Sequence, residues 1–577
     1  MTSRDAGCRL RGIGARPQQR QRLKSGTFAL NHVDRMSAQF SRRRFLQQFA
    51  AFGTASLMPP VWRDRGSSPD PAADFCAAGD AKAPRLWIPG DSGFLGRLAP
   101  RGLPLTMRTV ESRGSATANS PGPLAYAVQS GGRRYTNPTL LLQPGDELRV
   151  NLVNALSQPT IVHWHGLAVD GNNDGNGSFL VGPGERYSYD FEVRNRSGMY
   201  WYHPHPHGLT AEQTYRGLYG VILIEDGDER ALRGALDLVP GSTDISLVLQ
   251  DRRPGSAYAP TQDDLSHGFL GDHLHVNGSE GPYLDVGSRL YRFRVLNAAN
   301  ARTLLLAFRT ATGSAIPFTL IGNDGGLLTT PVRCERTFLA TAERIDLLVD
   351  LRDAAVGEVV RLETLAFDPM HFEGAKVAPA EPGAMDHSHH GGAAGGHQHG
   401  ASWPEGAPRA LLELRVRKRV AYDRPIPSRL SSLPAIDTAN AEDRSFRLGF
   451  AKGRWRINDR VFEMGAPPIE VRRGTVETWL IRNYHTSMPH AMHLHGFHFE
   501  VLARETSPDA IVALGVDAHG RLATDLGRKD TVLVWPGESV RVAIDFSHPY
   551  PGPQAYLFHC HNLEHEDGGM MLPVSVV

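Results

Sequence analysis

One pattern occurs three times along this chain of 577 residues and limits what it can fold into. A glycine is followed by a strand of alternating apolar and polar residues that ends at an asparagine, at Gly145 to Asn154, Gly287 to Asn297 and Gly474 to Asn483. Alternation with a period of two predicts a strand with one buried face. The three copies therefore predict three related β-domains, and 60 glycines and 40 prolines suit an all-β chain with many turns.

Histidines cluster in short motifs in which they alternate with other residues. The motifs are His163-Trp164-His165, His203-Pro204-His205, His493-Leu494-His495 and His559-Cys560-His561. Side chains alternate across a strand, so His559 and His561 point to one face and Cys560 to the other. One short peptide can therefore contact two metal centres.

The segment around Cys560 also contains the ligands of a blue-copper site. Such a site has a thiolate, two imidazoles and a weak axial thioether. Cys560, His565 and Met570 provide three of these ligands, and His490, just before the third motif, provides the second histidine. The first and third repeats are each followed closely by a histidine motif, whereas the second is followed by residues 298–302, which contain none. We therefore expect a middle domain without copper and a metal cluster between the first and last domains.

In these motifs the chain resembles the multicopper oxidases, a family that includes laccases, bilirubin oxidases and bacterial copper-efflux oxidases. The resemblance runs from residue 84 to the C-terminus and implies three tandem cupredoxin-like Greek-key β-sandwiches and four copper ions. The implied ligands are His490, Cys560, His565 and axial Met570 for type 1 copper, His163 and His493 for type 2 copper, and His165, His203, His205, His495, His559 and His561 for the type 3 pair. Ala491 replaces a proline that is usual in the family and so restores a backbone donor.

The predicted domains follow the repeats. Residues 80–228 carry cluster ligands, residues 229–368 carry no copper, and residues 409–577 carry the type 1 site and further cluster ligands. Between the last two, residues 369–408 form a linker or insert rich in histidine and glycine. It is either a loop that binds metal adventitiously or a copper-collecting insert similar to that of copper-efflux oxidases, although methionine is sparse here.

The N-terminal residues 1–60 are predicted to be a leader with a twin-arginine export signal. Ser41-Arg42-Arg43-Arg44-Phe45-Leu46 precedes a mildly apolar run, and the alternative is an arginine-rich leader without a signal. We expect a monomer in the bacterial periplasm. No stretch approaches the roughly 20 apolar residues of a membrane helix. The formal charge of +1 argues against a nucleic-acid-binding protein.

The four cysteines are too few for a disulfide framework in a chain of this length. Cys560 is a predicted ligand and Cys8 lies in the leader. Cys76 and Cys334 are either paired with each other or separately buried, and the sequence leaves both options open.

The resemblance implies an oxidase that couples one-electron oxidation of a donor at type 1 copper to four-electron reduction of O2 to water. We expect Cu(I) as the donor, with laccase-like activity on phenols. One alternative is a general laccase acting on phenols and aromatic amines, and another is a periplasmic copper-sequestering protein. A copper nitrite reductase is disfavoured, because it needs no His-Cys-His bridge to a trinuclear cluster.

Two acidic residues are candidates for supplying protons to the cluster, Asp174 and Glu566. Asp174 is alternatively an ordinary turn residue. The resemblance further implies that Met488, Met370 and Glu566 contact substrate copper near the type 1 site. Either methionine is alternatively a packing residue, and Thr486 stands where the family has an acidic ligand.

Overall fold

The computed structural model describes residues 83–111, 124–254, 257–372 and 403–577. The predicted export signal, Cys8, Cys76 and residues 373–402 of the histidine-rich insert lie outside these ranges. The described residues form strands in six sheets with few helices, so the predicted all-β fold class is confirmed.

The first pair of sheets encloses one buried apolar core. Its strands are β1 (Gly93–Phe94), β2 (Arg97–Leu98), β3 (Leu105–Glu111), β4 (Leu124–Ser130), β5 (Arg133–Thr136), β6 (Thr139–Leu142), β7 (Glu147–Asn154), β8 (Val162–His163), β9 (Arg186–Glu192), β10 (Gly198–Pro204) and β11 (Gly220–Ile224). One sheet has the order β1-β5-β4-β3-β7-β9 and the other β2-β6-β11-β10-β8. We call this pair the first sandwich.

The second sandwich is larger and has its own core. Its strands are β12 (Asp244–Arg252), β13 (His273–Val276), β14 (Ser279–Glu280), β15 (Tyr283–Gly287), β16 (Leu290–Asn297), β17 (Leu304–Thr310), β18 (Ala315–Ile316), β19 (Phe318–Asn323), β20 (Gly326–Cys334), β21 (Arg336–Leu339), β22 (Arg344–Asp350), β23 (Val359–Thr364) and β24 (Arg409–Lys418). The sheet orders are β14-β13-β12-β16-β22-β19-β20 and β15-β24-β23-β17-β18, with β21 also paired to β17.

Strand β24 corrects one predicted boundary. The last domain is predicted to begin at residue 409, but β24 lies between β15 and β23 in the second sandwich. Its alternating residues Leu412, Leu414 and Val416 are buried in that core, which explains the placement. The other predicted domain boundaries remain predictions.

The third sandwich contains the C-terminal strands around a further core. They are β25 (Glu442–Ala451), β26 (Arg454–Ile457), β27 (Ile469–Val471), β28 (Val476–Asn483), β29 (His490–Leu494), β30 (Phe499–Glu505), β31 (Thr531–Val534), β32 (Ser539–Asp545), β33 (Gln554–Cys560) and β34 (Met571–Val576). The sheet orders are β26-β25-β28-β32-β30 and β27-β34-β33-β29-β31.

The few helices of the described chain are short. They are Thr210–Tyr215, Gly227–Ala235, Gln262–His267, Asp509–Val512 and Leu563–Asp567, with a 3₁₀ turn at Ala523–Asp525. Within the described ranges, none of them has the length and hydropathy of a membrane span.

The three sequence repeats form strands in the same position of each sandwich. β7, β16 and β28 each pair in parallel with an earlier strand and antiparallel with a later one. The asparagine that ends each strand is buried and donates its amide to two backbone carbonyls. The acceptors are Gln158 and Val181 for Asn154, Arg302 and Leu339 for Asn297, and Met488 and Val534 for Asn483. The loop after each repeat strand is therefore held in the same way.

Candidate metal centres

The histidine motifs come together at the interface of the first and third sandwiches. His163 and His203 pair across β8 and β10, and His493 and His559 pair across β29 and β33. Rings from the two sandwiches stack, because the His165 and His493 centroids are 3.7 Å apart and those of His163 and His495 are 3.8 Å apart.

Close groups of potential ligand atoms form within this interface and beside it, and all their members are buried. The groups are His163, His165 and His493; His165, His203 and His561; His205, His495 and His559; His163, Asp174 and His495; and His490, Cys560 and His565. The last of these is the predicted type 1 set. The second and third contain the predicted type 3 histidines, and the first contains both predicted type 2 histidines.

The proton positions on His163 and His493 suit metal binding. His163 Nδ1 donates to the Asp174 carbonyl at 2.7 Å, and His493 Nδ1 donates to the Asp530 carbonyl at 2.8 Å. A neutral imidazole with its proton on Nδ1 has a lone pair on Nε2. Both Nε2 atoms are buried and have no hydrogen-bond partner among the described residues. A bound cation would satisfy them, so this pair fits a metal.

Lone pairs also face one another among the predicted type 3 ligands. His203 Nδ1 donates to the Pro204 carbonyl at 2.9 Å, which leaves its Nε2 as an acceptor. His165 Nε2 donates to the Asp530 carboxylate at 3.0 Å, which leaves its Nδ1 as an acceptor. These two acceptors are 3.4 Å apart. They repel each other unless a cation binds between them, so the group fits a metal as well.

Burial keeps these imidazoles neutral. It lowers the pKa of His163, His203 and His559 well below the ordinary value, and neighbouring histidines lower it further. Neutral imidazole is the form that binds metals.

The group of His490, Cys560 and His565, which we call the thiolate group, includes the side chain on the other face of β33, that of Cys560. Cys560 Sγ lies 3.6 Å from His490 Nδ1 and 3.7 Å from His565 Nδ1, and it accepts the Asn562 N–H at 3.4 Å. Burial raises the pKa of the Cys560 thiol to about 12. A coordinated metal deprotonates a thiol outright, so this set fits a cation. Met570 is buried in the same core, and its carbonyl accepts the Cys560 N–H at 3.0 Å.

Asp174, one of the two predicted proton-supplying acids, bonds His163 through its carbonyl and His495 through its carboxylate. Its Oδ2 accepts the His495 Nδ1 proton at 2.8 Å, and burial raises the pKa of its carboxyl well above the ordinary value. The adjacent Gly175 has a φ of +74°, and a Cβ there would lie 1.7 Å from the Val162 carbonyl oxygen. Only glycine lets this loop approach the strand that carries His163 so closely.

The position of Glu566 corrects one expectation. The resemblance implied that it contacts substrate copper near the type 1 site. Its carboxyl oxygens instead lie 3.3 Å from His205 Nε2 and 3.3 Å from His559 Nδ1, among the predicted type 3 ligands. Glu566 follows His565 in the short helix Leu563–Asp567, and these two neighbours contact different groups of candidate ligands. Burial raises the pKa of Glu566 well above the ordinary value.

The two methionines proposed to contact substrate copper are buried among apolar side chains. Met488 belongs to the third core. Met370 packs in a separate cluster with Ala491, Phe338 and Trp535. These surroundings favour the packing interpretation, and the ligand roles remain predictions.

The outer side of the thiolate group is covered by the second sandwich and by Trp455. His565 Nε2 donates at 2.9 Å to the carbonyl of Ser266, in the helix Gln262–His267. The Trp455 ring lies 4.5 Å from the His490 ring and 5.1 Å from the His565 ring, measured between centroids. Beyond Ser266, the His267 ring stacks on His371 at 6.1 Å.

Sequence reasoning missed Asp530, which contacts two candidate ligands. Its carboxylate accepts from His165 and its carbonyl accepts from His493. Burial acts to raise the pKa of Asp530, but Arg344 and His165 outweigh it and hold that pKa well below the ordinary value. The only sequence signal is a charged run, Arg528-Lys529-Asp530, directly before the apolar strand β31.

Comparison with known proteins agrees with this geometry. Models of multicopper oxidase domains match residues 119–229 and 426–577. The crystal structure of McoA multicopper oxidase from Aquifex aeolicus is 35% identical, superposes with a TM-score of 0.72, and the match covers 86% of this chain and 100% of that one. The chain belongs to the multicopper oxidase family.

Two curated relatives carry different names. The multicopper oxidase Mco of Staphylococcus haemolyticus is 28% identical to this multicopper oxidase over 445 residues, which are 76% of this chain and 81% of the relative. The cell division protein FtsP of Pectobacterium atrosepticum is 28% identical over 447 residues, which are 76% and 82% of the two chains. Overall similarity therefore does not distinguish the oxidase relative from the cell division relative. The function has to be inferred from the candidate metal ligands. Membership of the family implies that this oxidoreductase uses copper, O2 and an electron donor.

Proposed function

We propose that this multicopper oxidase holds four copper ions and couples one-electron oxidation of a donor to four-electron reduction of O2 to water. The observation that carries the proposal is the convergence of every predicted histidine and Cys560 into close, buried groups. When bound, the copper ions supply the one-electron redox chemistry.

The protein would hold the copper ions with the residues that the sequence motifs indicate. The proposed ligands are His490, Cys560, His565 and Met570 for type 1 copper, His163 and His493 for type 2 copper, and His165, His203, His205, His495, His559 and His561 for the type 3 pair. The middle sandwich would hold none. His559 and His561 flank Cys560 in sequence, so the type 1 site and the cluster are joined by single peptide bonds.

Two buried acids would hold protons beside the cluster. The Asp174 and Glu566 carboxyl groups both contact predicted type 3 histidines, and burial raises the pKa of each. A carboxyl with a raised pKa holds its proton to a higher pH than an ordinary acid, so each group can act as a proton donor beside the cluster.

We propose a small cation, Cu(I), as the preferred donor, with slower activity on phenols. Both type 1 histidines are buried, and their outer Nε2 atoms bond Ser266 and Ser487. Neither type 1 histidine therefore exposes a ring edge that a large donor could contact.

Two imidazole–carboxylate pairs lie next to this covered side. His371 Nε2 lies 3.1 Å from a Glu405 oxygen, and His267 Nδ1 lies 2.9 Å from an Asp263 oxygen. Imidazole and carboxylate groups attract a metal cation more than a neutral phenol. They support the cationic donor, whereas the buried Met488 and Met370 give it no added support.

Three other functions compete with this proposal. One is a general laccase acting on phenols and aromatic amines, and another is a protein that only sequesters copper. The FtsP relative suggests the third, a role in cell division that does not depend on oxidation. Neither sequestration nor a cell-division role explains a complete set of cluster histidines with two buried acids. Because the predicted twin-arginine signal directs export, we propose a periplasmic location.

O2 consumption by the purified, copper-loaded protein tests the function. We expect faster uptake with Cu(I) than with a bulky phenol, and no uptake for Cys560→Ser, which removes the type 1 thiolate. Faster uptake with phenol would indicate a laccase. No uptake with either donor, despite full copper loading, would leave copper sequestration or a non-enzymatic role.

A further inference from the structure

A buried ion pair joins the middle sandwich to the histidine cluster. Arg344, the first residue of β22, donates from Nη1 to Asp530 Oδ1 at 2.8 Å and from Nη2 to Asp530 Oδ2. Both side chains are almost fully buried. Asp530 lies just before β31 of the third sandwich, so the pair crosses between two sandwiches.

All five N–H groups of Arg344 donate hydrogen bonds. Beyond Asp530, Nε donates to the Met199 carbonyl at 3.1 Å, Nη1 to the Ala342 carbonyl at 2.9 Å, and Nη2 to the Asp324 carbonyl at 3.0 Å. A guanidinium has five N–H donors in a fixed plane, and here each has an acceptor. Met199 belongs to the first sandwich, so one side chain bonds all three sandwiches.

The carboxylate in turn selects the tautomer of His165. Asp530 Oδ1 accepts the Nε2 proton of His165 at 3.0 Å, so the lone pair stays on Nδ1 and faces His203 across 3.4 Å. The neighbouring residue Gly166 has a φ of +83°, and a Cβ there would lie 2.5 Å from Asp530 Oδ2. The ion pair therefore lies directly against the backbone of the first histidine motif.

His165 and His495 bond carboxylates, of Asp530 and Asp174 respectively, and differ in this respect from four other histidines of the cluster. His163, His203, His493 and His559 each donate Nδ1 to a backbone carbonyl. A carbonyl is fixed by the chain itself, whereas the Asp530 carboxylate is fixed by a residue from another sandwich.

We propose that Arg344 is a positioning residue for the copper cluster. By holding Asp530 in place, it keeps the proton of His165 on Nε2 and turns Nδ1 toward the predicted type 3 site. The middle sandwich thus controls cluster assembly without supplying a ligand. This inference rests on the proposed copper cluster and adds to it the residue that orients one ligand.

Copper binding and spectroscopy of two variants test the inference. Arg344→Met removes the guanidinium. Asp530→Asn places an amide NH2 either against the Arg344 donors or against His165 Nε2, and both arrangements are unfavourable. We expect the cluster's affinity for copper to fall about 10- to 100-fold in each variant, as is typical when an outer partner of a ligand is lost. The type 2 electron paramagnetic resonance signal and the type 3 near-ultraviolet absorption should weaken, while the blue type 1 absorption persists as an internal reference.

A matched control is Arg292→Met in the neighbouring strand β16. Arg292 is also fully buried and paired with acids, Glu229 and Asp346, and its ion pairs within the described ranges include no histidine of the cluster. We expect Arg292→Met to lower thermal stability and leave both cluster signals unchanged. If Arg344→Met fails to fold, Asp530→Asn tests the same contact with His165.

Two results would overturn the inference. In one, the Arg344 and Asp530 variants retain full cluster copper and both signals. In the other, they lose type 1 and cluster copper together, to the same degree as Arg292→Met, which would indicate a general structural role. If the unsubstituted protein itself takes up no cluster copper, the proposed function fails, and this separate outcome is visible before any variant is compared.

Discussion

At the scale of single residues, hydrogen bonds decide which nitrogen of each histidine faces the cluster. His163 and His493 present Nε2 because their Nδ1 atoms donate to carbonyls, whereas His165 presents Nδ1 because Asp530 accepts from its Nε2. The required carbonyls and carboxylate lie in loops that are 11, 37 and 365 residues away from the histidines they bond. The backbone conformation of those loops is therefore part of the candidate metal site.

Gly175 offers a direct test of this dependence. Gly175→Ala forces an L-residue into the left-handed region and drives a Cβ into the Val162 carbonyl, one residue before His163. We expect weaker cluster copper binding and a fall in stability that exceeds the roughly 1–2 kcal/mol typical of left-handed strain alone. Thermal unfolding and the type 2 paramagnetic signal measure the two effects.

Gly184→Ala is the matched control, because Gly184 has a similar φ of +81° and no heavy atom within 4 Å of an added Cβ. Gly184→Ala should lose only the stability that left-handed strain costs and should keep its cluster copper binding. Equal losses in the two variants would contradict a role for the close approach at Gly175.

At the scale of structural elements, the repeat strand and its closing asparagine form a unit used three times. Asn154, Asn297 and Asn483 each hold the following loop through two carbonyls. In the third sandwich that loop leads to β29 and His490, whereas in the second it leads to no ligand. The same element is structural in one copy and supports a candidate metal site in another.

The repeat predicts different outcomes for the same substitution. Asn483→Ala and Asn297→Ala each leave two carbonyls without their donor, which should cost about 1–3 kcal/mol of unfolding free energy for each unsatisfied group. Only Asn483→Ala should also weaken the blue type 1 absorption, because its partner Met488 lies two residues before His490. Denaturant unfolding and visible absorption of both variants check this. Loss of the blue band in Asn297→Ala as well would show that the band reports general instability.

At the scale of the whole molecule, the cluster joins two sandwiches that are far apart in sequence. Its candidate ligands come from residues 163–205 and 493–561. The second sandwich lies between them in the chain and contacts the cluster through Arg344 and through Thr341, whose hydroxyl donates to the His561 carbonyl at 2.9 Å. Copper bound only by the folded arrangement adds its binding free energy to folding.

Copper removal should therefore lower thermal stability. We expect the copper-free protein to unfold at a lower temperature than the loaded protein, and added copper to restore the difference. Cys560→Ser should retain most of that difference, because the ligands that join the sandwiches belong to the cluster. Calorimetry of the three forms measures the effect, and identical unfolding temperatures with and without copper would refute it.

The sequence by itself determined the β-strands, their repetition and the residue types of the ligands. Periodicity of two and ligand spacing are local properties, so β7, β16, β28 and the histidine motifs were evident without coordinates. The tertiary structure decided the rest, because it depends on contacts between distant segments. It assigned β24 to the second sandwich, placed Glu566 beside predicted type 3 histidines, and placed the buried pair Arg344 and Asp530 against His165. A charged residue looks the same in sequence whether it is solvated or buried, and only the packing of the three sandwiches made these charges part of the site.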